Sequence, residues 1–258
     1  MALMVKGQCK LCLQTRALQE SHLLPKALYK KSRWKGAKNP NPTLITATKT
    51  IQTSRQIKDF VLCKECEQRF NKNGENYAMG LVAEHGRFPL LEKLQAARPV
   101  KITPEFTWYD QAAVPTINRA KLGYYALSIF WRASAHRWEK HELESPMIVL
   151  GPYEEKLRTY LLGETGFPDR VALMFIACTD VLSQNTFYVP NKGHENQETF
   201  TFQTRGLNVF LMVGQQVSDP MRTLCGVNGT DKWILTRSCH DKVAGRIVEL
   251  TAGRESLF

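Results

Sequence analysis

The sequence predicts an α+β protein in two parts: a small metal-braced module at residues 1–86 and a mixed helix and antiparallel-sheet domain at residues 119–258, joined by a connector at 87–118. Three observations carry this. Two CxxC pairs, Cys9/Cys12 and Cys63/Cys66, bracket the first part. Charge divides the chain at the same place, because residues 1–76 hold 15 of the 35 Lys and Arg but only 5 of the 24 Asp and Glu, which leaves nearly all of the net +11 in the first third. Beyond residue 119 the apolar pattern runs first at helical spacing and then in short β-rich bursts.

The elements follow in order. After the first CxxC, the stretch ESHLLPK (residues 20–26) contains Pro25, which favours an extended or turn entry, and KALYKK behind it starts a helix. Residues 32–56 hold Gly36 and two Asn-Pro steps, then the β-prone TLITATKTIQT, so a mobile loop leading into a strand or hairpin is expected. FVLCKECEQRFNKNGENYAMGLVAEH reads as a strand end, a knuckle and a helix from about Glu65. Residues 87–118 are broken by prolines. Leu122, Tyr125, Ala126, Ile129, Phe130 and Ala133 then mark a long helix, YEEKLRTYLLGE a second, and five β-rich runs from RVALMFIACTD to KWILT an antiparallel sheet packed by both.

Two CxxC pairs are the ligand set of a tetrahedral thiolate site, so Cys9, Cys12, Cys63 and Cys66 are read as holding one structural zinc. Cys178, Cys225 and Cys239 stand singly, and this usage favours metal over disulfides and a cytoplasmic setting. No stretch approaches the roughly 18 uninterrupted apolar residues of a membrane span.

The positive first third attracts polyanions. In KALYKKSRWKGAK, Lys26, Lys30, Lys31, Arg33, Lys35 and Lys38 suit phosphates, while Tyr29 and Trp34 suit stacking on bases. Nucleic acid is the expected partner, and the C-terminal domain is left for a protein partner or self-association. His22 has three readings: a general base, a satisfied core residue, or a replacement zinc ligand. Glu67, Asn71 and Glu75 stand at i, i+4 and i+8, one helix stripe drifting about 40° per step, whose oxygens suit Mg²⁺ or Mn²⁺. Glu20 is set on the opposite face of the strand from His22 and ranked below these helix residues. His85, His136, His141, His194 and His240 are read as structural or exposed, and Arg132 as a buried or interface arginine in a packing stripe.

A CxxC, a Ser-His step followed by LLPK, and LCKECEQ entering a helix resemble the HNH endonucleases over residues 9–78. More narrowly, ESHLLPK with LCKECEQRFNKNGENYA and LSIFWRAS is similar to a group of bacterial HNH-like proteins, to about residue 160. The resemblance implies a treble-clef-like ββα-metal module, zinc-braced, that hydrolyses nucleic acid, with DNA the first expectation. It also implies that His22 deprotonates a water, that the following helix holds a divalent ion, and that the setting is bacterial defence or a mobile element. Two positions depart from the common motif, Ser21 for an aspartate ligand and Glu67 for a histidine. Those departures keep a second reading open, a zinc-stabilised nucleic-acid-binding or docking protein without cleavage.

Overall fold

In the computed structural model, the described residues are 5–33, 38, 40–41, 43–45, 50–84, 87–138, 148–194, 197–215, 217–218 and 234–238. Lys6–Gln8 (β1) and Thr15–His22 (β2) pair antiparallel across the first knuckle, which Leu13 closes at φ 59°. Lys26–Lys31 (α1) begins directly behind Pro25, and Thr43–Ile45 (β3) and Thr50–Gln52 (β4) form a two-stranded hairpin. Lys58–Cys63 (β5) returns beside β2 and completes a sheet of order β1-β2-β5. The β2–β5 register shifts between Gln19 and Glu20, and the buried Ser21 hydroxyl nearby accepts from the Leu62 N–H at 3.0 Å.

Lys64–Phe70 (α2) runs through a π-helical segment at Asn71–Glu75 into Asn76–Val82 (α3). Gly74 explains how this segment seats. A Cβ on Gly74 would stand 2.7 Å from the Tyr125 nitrogen and 2.8 Å from its Cα, so the backbones approach where no side chain fits. Gly74→Ala should therefore lower unfolding free energy by about 1–3 kcal/mol. Urea denaturation reads this, and an unchanged midpoint at unchanged slope would contradict the close approach.

Pro89–Gln95 (α4), Lys101–Ile102 (β6) and Thr107–Tyr109 (β7) occupy the stretch expected to be a connector. Arg119–Ala135 (α5) and Tyr153–Leu162 (α6) follow. Then come Val171–Cys178 (β8), Val181–Asn185 (α7), Phe187–His194 (β9), Gln197–Thr204 (β10), Leu207–Val213 (β11) and Ile234–Arg237 (β12). Among the described residues the larger sheet has seven strands, ordered β6-β7-β12-β8-β11-β10-β9. It is mixed, not purely antiparallel, because β12 lies parallel to β8 between it and β7.

Helix α5 is buried almost all round: Leu122, Tyr125, Ala126, Leu127, Ile129, Phe130 and Ala133 expose nothing. A helix apolar on every side needs partners on every side. It has them in the π segment and in the large sheet, where Tyr125 and Phe130 meet Phe202 edge-on. One apolar core thus runs from Phe70 and Leu81 through α5 to Phe202, with no division at residue 86. Polar ties add to it, as Arg158 donates to the Leu11 carbonyl at 2.8 Å and Arg69 to the Leu162 carbonyl at 2.9 Å.

Cys178, single by sequence, is disulfide-bonded. No helix among the described residues is long and apolar enough to cross a membrane.

Candidate functional site

The two CxxC pairs converge. Cys9 and Cys12 lie in the turn between β1 and β2, Cys63 ends β5 at the N-cap of α2, and Cys66 sits in the first turn of that helix. All four Sγ atoms fall within 4.8 Å of one another, and Cys12 and Cys63 are 3.9 Å apart. Tetrahedral Zn–S bonds of about 2.3 Å place sulfurs about 3.8 Å apart, so the spacing fits a bound metal ion. The Cys63 N–H donates to the Cys9 sulfur at 3.3 Å, as suits a thiolate. A hydrogen bond with Cys66 holds the Cys9 thiol down at about 4, while that same bond pushes Cys66 up and burial pushes Cys63 to about 11. Sulfurs this crowded repel further ionisation, and a cation among them is what makes several thiolates compatible. The cluster could hold a metal ion such as zinc, and His22 is not part of it.

His22 ends β2 on the wall of a cleft of about 1010 Å³. Its Nε2 lies 2.7 Å from Gln56 Oε1. With the amide oriented so that Oε1 faces the ring, Nε2 donates and Nδ1 keeps the lone pair. Burial lowers the imidazole below its ordinary value, and Lys26 and Lys58 add to this against the Gln56 hydrogen bond and Glu20. The ring is thereby biased toward its neutral, basic form.

Glu67, Asn71 and Glu75 line the same cleft. In an α-helix four residues overshoot a full turn by about 40°. From Asn71 to Glu75 the chain is π-helical, with i→i+5 bonding and more residues per turn, so four residues fall short instead and the drift reverses. The stripe survives by a geometry that the sequence spacing does not contain. Its members differ in state. Burial pushes the Glu67 carboxyl up, offset in part by Arg132 and the Ser21 hydroxyl, and Glu67 Oε1 is buried with no hydrogen-bond partner among the described residues. Glu75 is buried and committed to an ion pair, its Oε1 accepting from Arg132 Nη2 at 2.5 Å. Glu20 also lines the cleft, paired with Lys58 at 2.7 Å. Residues two apart on a strand share a face, which corrects its placement opposite His22.

Lys26, Lys30 and Arg33 rim the cleft and are exposed. Lys31 lines it too, but its ammonium donates to the carbonyls of Met79 and Ala83 and so caps the end of α3. Tyr29 is no stacking platform: it is buried edge-on against Phe187, and its hydroxyl accepts from the Ile57 N–H at 3.4 Å. Lys38 is exposed and does not line the cleft, and Trp34 and Lys35 lie outside the described residues. Gln56, Lys64 and Arg132 are among the lining residues not singled out in sequence for this site. Only Arg132 left a signal, a charge inside the apolar run SIFWRAS. His136 pairs with Asp59 at 3.2 Å.

Comparison of the chain with protein-family models, with curated proteins and with solved structures finds no match.

Proposed function

We propose that this protein is a metal-dependent HNH-type endonuclease that hydrolyses phosphodiester bonds in nucleic acid, DNA first, with Cys9, Cys12, Cys63 and Cys66 on a structural zinc. The observation that supports this reading is that His22 and Glu67, a carboxylate with one buried and unpartnered oxygen, line one cleft rimmed by Lys26, Lys30 and Arg33. In it His22 takes the proton from the attacking water and Gln56 holds the ring by its Nε2. Lys26, Lys30 and Arg33 hold the phosphates on either side. Glu67 and Asn71 offer a carboxylate and an amide oxygen, the donors that Mg²⁺ or Mn²⁺ takes. When bound there, such an ion stabilises charge on the transferring phosphoryl group.

The test incubates purified protein with duplex DNA, single-stranded DNA and RNA, each with Mg²⁺, with Mn²⁺ or with chelator. Cleavage that requires the divalent ion is expected. Glu67→Ala should raise the Mg²⁺ or Mn²⁺ concentration for half-maximal cleavage by about tenfold or more. The commitment of Glu75 to Arg132 favours a second reading, a nucleic-acid-binding protein without cleavage, because it removes one oxygen ligand from the stripe. Salt-sensitive binding with no cutting in either ion would replace the nuclease reading with that one.

A further inference from the structure

Arg132 is the most deeply buried charge on the cleft, 1% exposed. Its guanidinium is fully engaged: Nη1 donates to the His22 carbonyl at 2.6 Å, Nη2 to Glu75 Oε1 at 2.5 Å, and Nε to the Ser128 carbonyl at 3.2 Å. The Phe70 ring lies under it at 5.3 Å. Burying an ion pair gains little stability over an apolar pair of the same shape, so this arrangement needs another reason. The contacts supply one. His22 ends a strand, Glu75 closes the π segment and Ser128 lies on α5, so one planar fork ties three elements together at the cleft. The atom it holds on His22 belongs to the backbone that aims the imidazole. The atom it holds on Glu75 commits that carboxylate to an ion pair, while Glu67 and Asn71 line the same cleft.

We propose that Arg132 is a positioning residue: its guanidinium fork sets the His22 backbone, and with it the direction of the imidazole, against the helix that carries Glu67 and Asn71. This rests on the reading of His22 as the base. Lysine keeps the charge but has no fork, and it cannot reach His22, Glu75 and Ser128 together.

The test compares wild type, Arg132→Lys, and the double variant Arg132→Met with Glu75→Leu, which removes both buried charges and so keeps the protein folded even where a single change does not. Three readouts are taken on the full chain: melting temperature, the split between kcat and KM for nucleic acid, and the His22 ring cross-peak in a heteronuclear NMR spectrum at fixed pH. In Arg132→Lys we expect a drop in kcat of tenfold or more, with KM within about twofold, and a displaced ring signal. In the double variant the ring signal should be displaced even where the melting temperature returns to that of wild type. A ring signal at its wild-type position in a folded variant overturns the proposal, and so does wild-type kcat in a folded Arg132→Lys protein. A wild-type protein that cuts nothing sinks the nuclease reading alone, because the ring signal still decides whether Arg132 positions His22.

Discussion

On the proposed nuclease reading, His22→Ala is expected to lower cleavage by about 10²–10⁴-fold, the usual contribution of a positioned base, with fold, bound metal and nucleic-acid affinity as in wild type. The structure separates these properties because His22 is outside the four-sulfur cluster and only half-buried, so its ring is not needed to fill the core. The pH profile carries the same signature. Burial lowers the imidazole below the ordinary value of about 6.5, so the neutral base persists to lower pH than a free histidine allows. Cleavage is then at its plateau near neutrality and is lost as pH falls through the lowered value. Stability has the same sign: the folded state binds the proton less readily than the unfolded chain, so acidification below about 6.5 costs stability until the folded-state value is passed. An active preparation in which His22→Ala cuts at the wild-type rate would return His22 to a structural role.

With zinc on the four sulfurs as proposed, Cys63→Ser is expected to release the metal and to melt the protein about 10 °C or more below wild type, since structural zinc contributes on the order of 10–16 kcal/mol to the module that binds it. Cys63 has two duties here. Its sulfur belongs to the cluster, and its backbone ends β5 and N-caps α2, the helix that carries Glu67. Loss of the ion therefore loosens the start of the helix that places the oxygen stripe, and through Phe70 and Trp131, whose rings meet edge-on at 5.9 Å, it reaches α5 as well. Elemental analysis and thermal melts with and without chelator read both effects. A Cys63→Ser protein that keeps one equivalent of metal and its wild-type melting temperature would remove the four-cysteine assignment.

What could be read in the sequence is what short-range rules govern. The spacing of two CxxC pairs was enough to name a cluster that the fold closes to within 4.8 Å. The apolar spacing from Leu122 to Ala133 was enough to name a buried helix face, since a helical stripe repeats over a few residues. The alternation of apolar bursts after residue 170 was enough for a sheet, but not for the parallel insertion of β12 beside β8, which depends on where a late strand finds an open edge.

The candidate site divides in the same way. Glu67, Asn71 and Glu75 were legible as a stripe, yet their roles were decided by a partner far along the chain: Arg132 lies 57 positions from Glu75 and 110 from His22. Lys31 read as a phosphate contact because charge in a basic loop is usually solvated, and it became a helix cap because the end of α3, 52 positions away, presents carbonyls to it. Gln56 carried no signal at all, being one polar residue in a loop until β5 set it beside His22. Residue type and spacing by themselves determined the sulfur cluster, the buried face of α5 and the stripe of Glu67, Asn71 and Glu75. Which of those groups is free, which is paired and which is buried was settled only when the π segment and α5 closed over the end of β2, because burial and pairing are properties of distant neighbours and no local pattern encodes them.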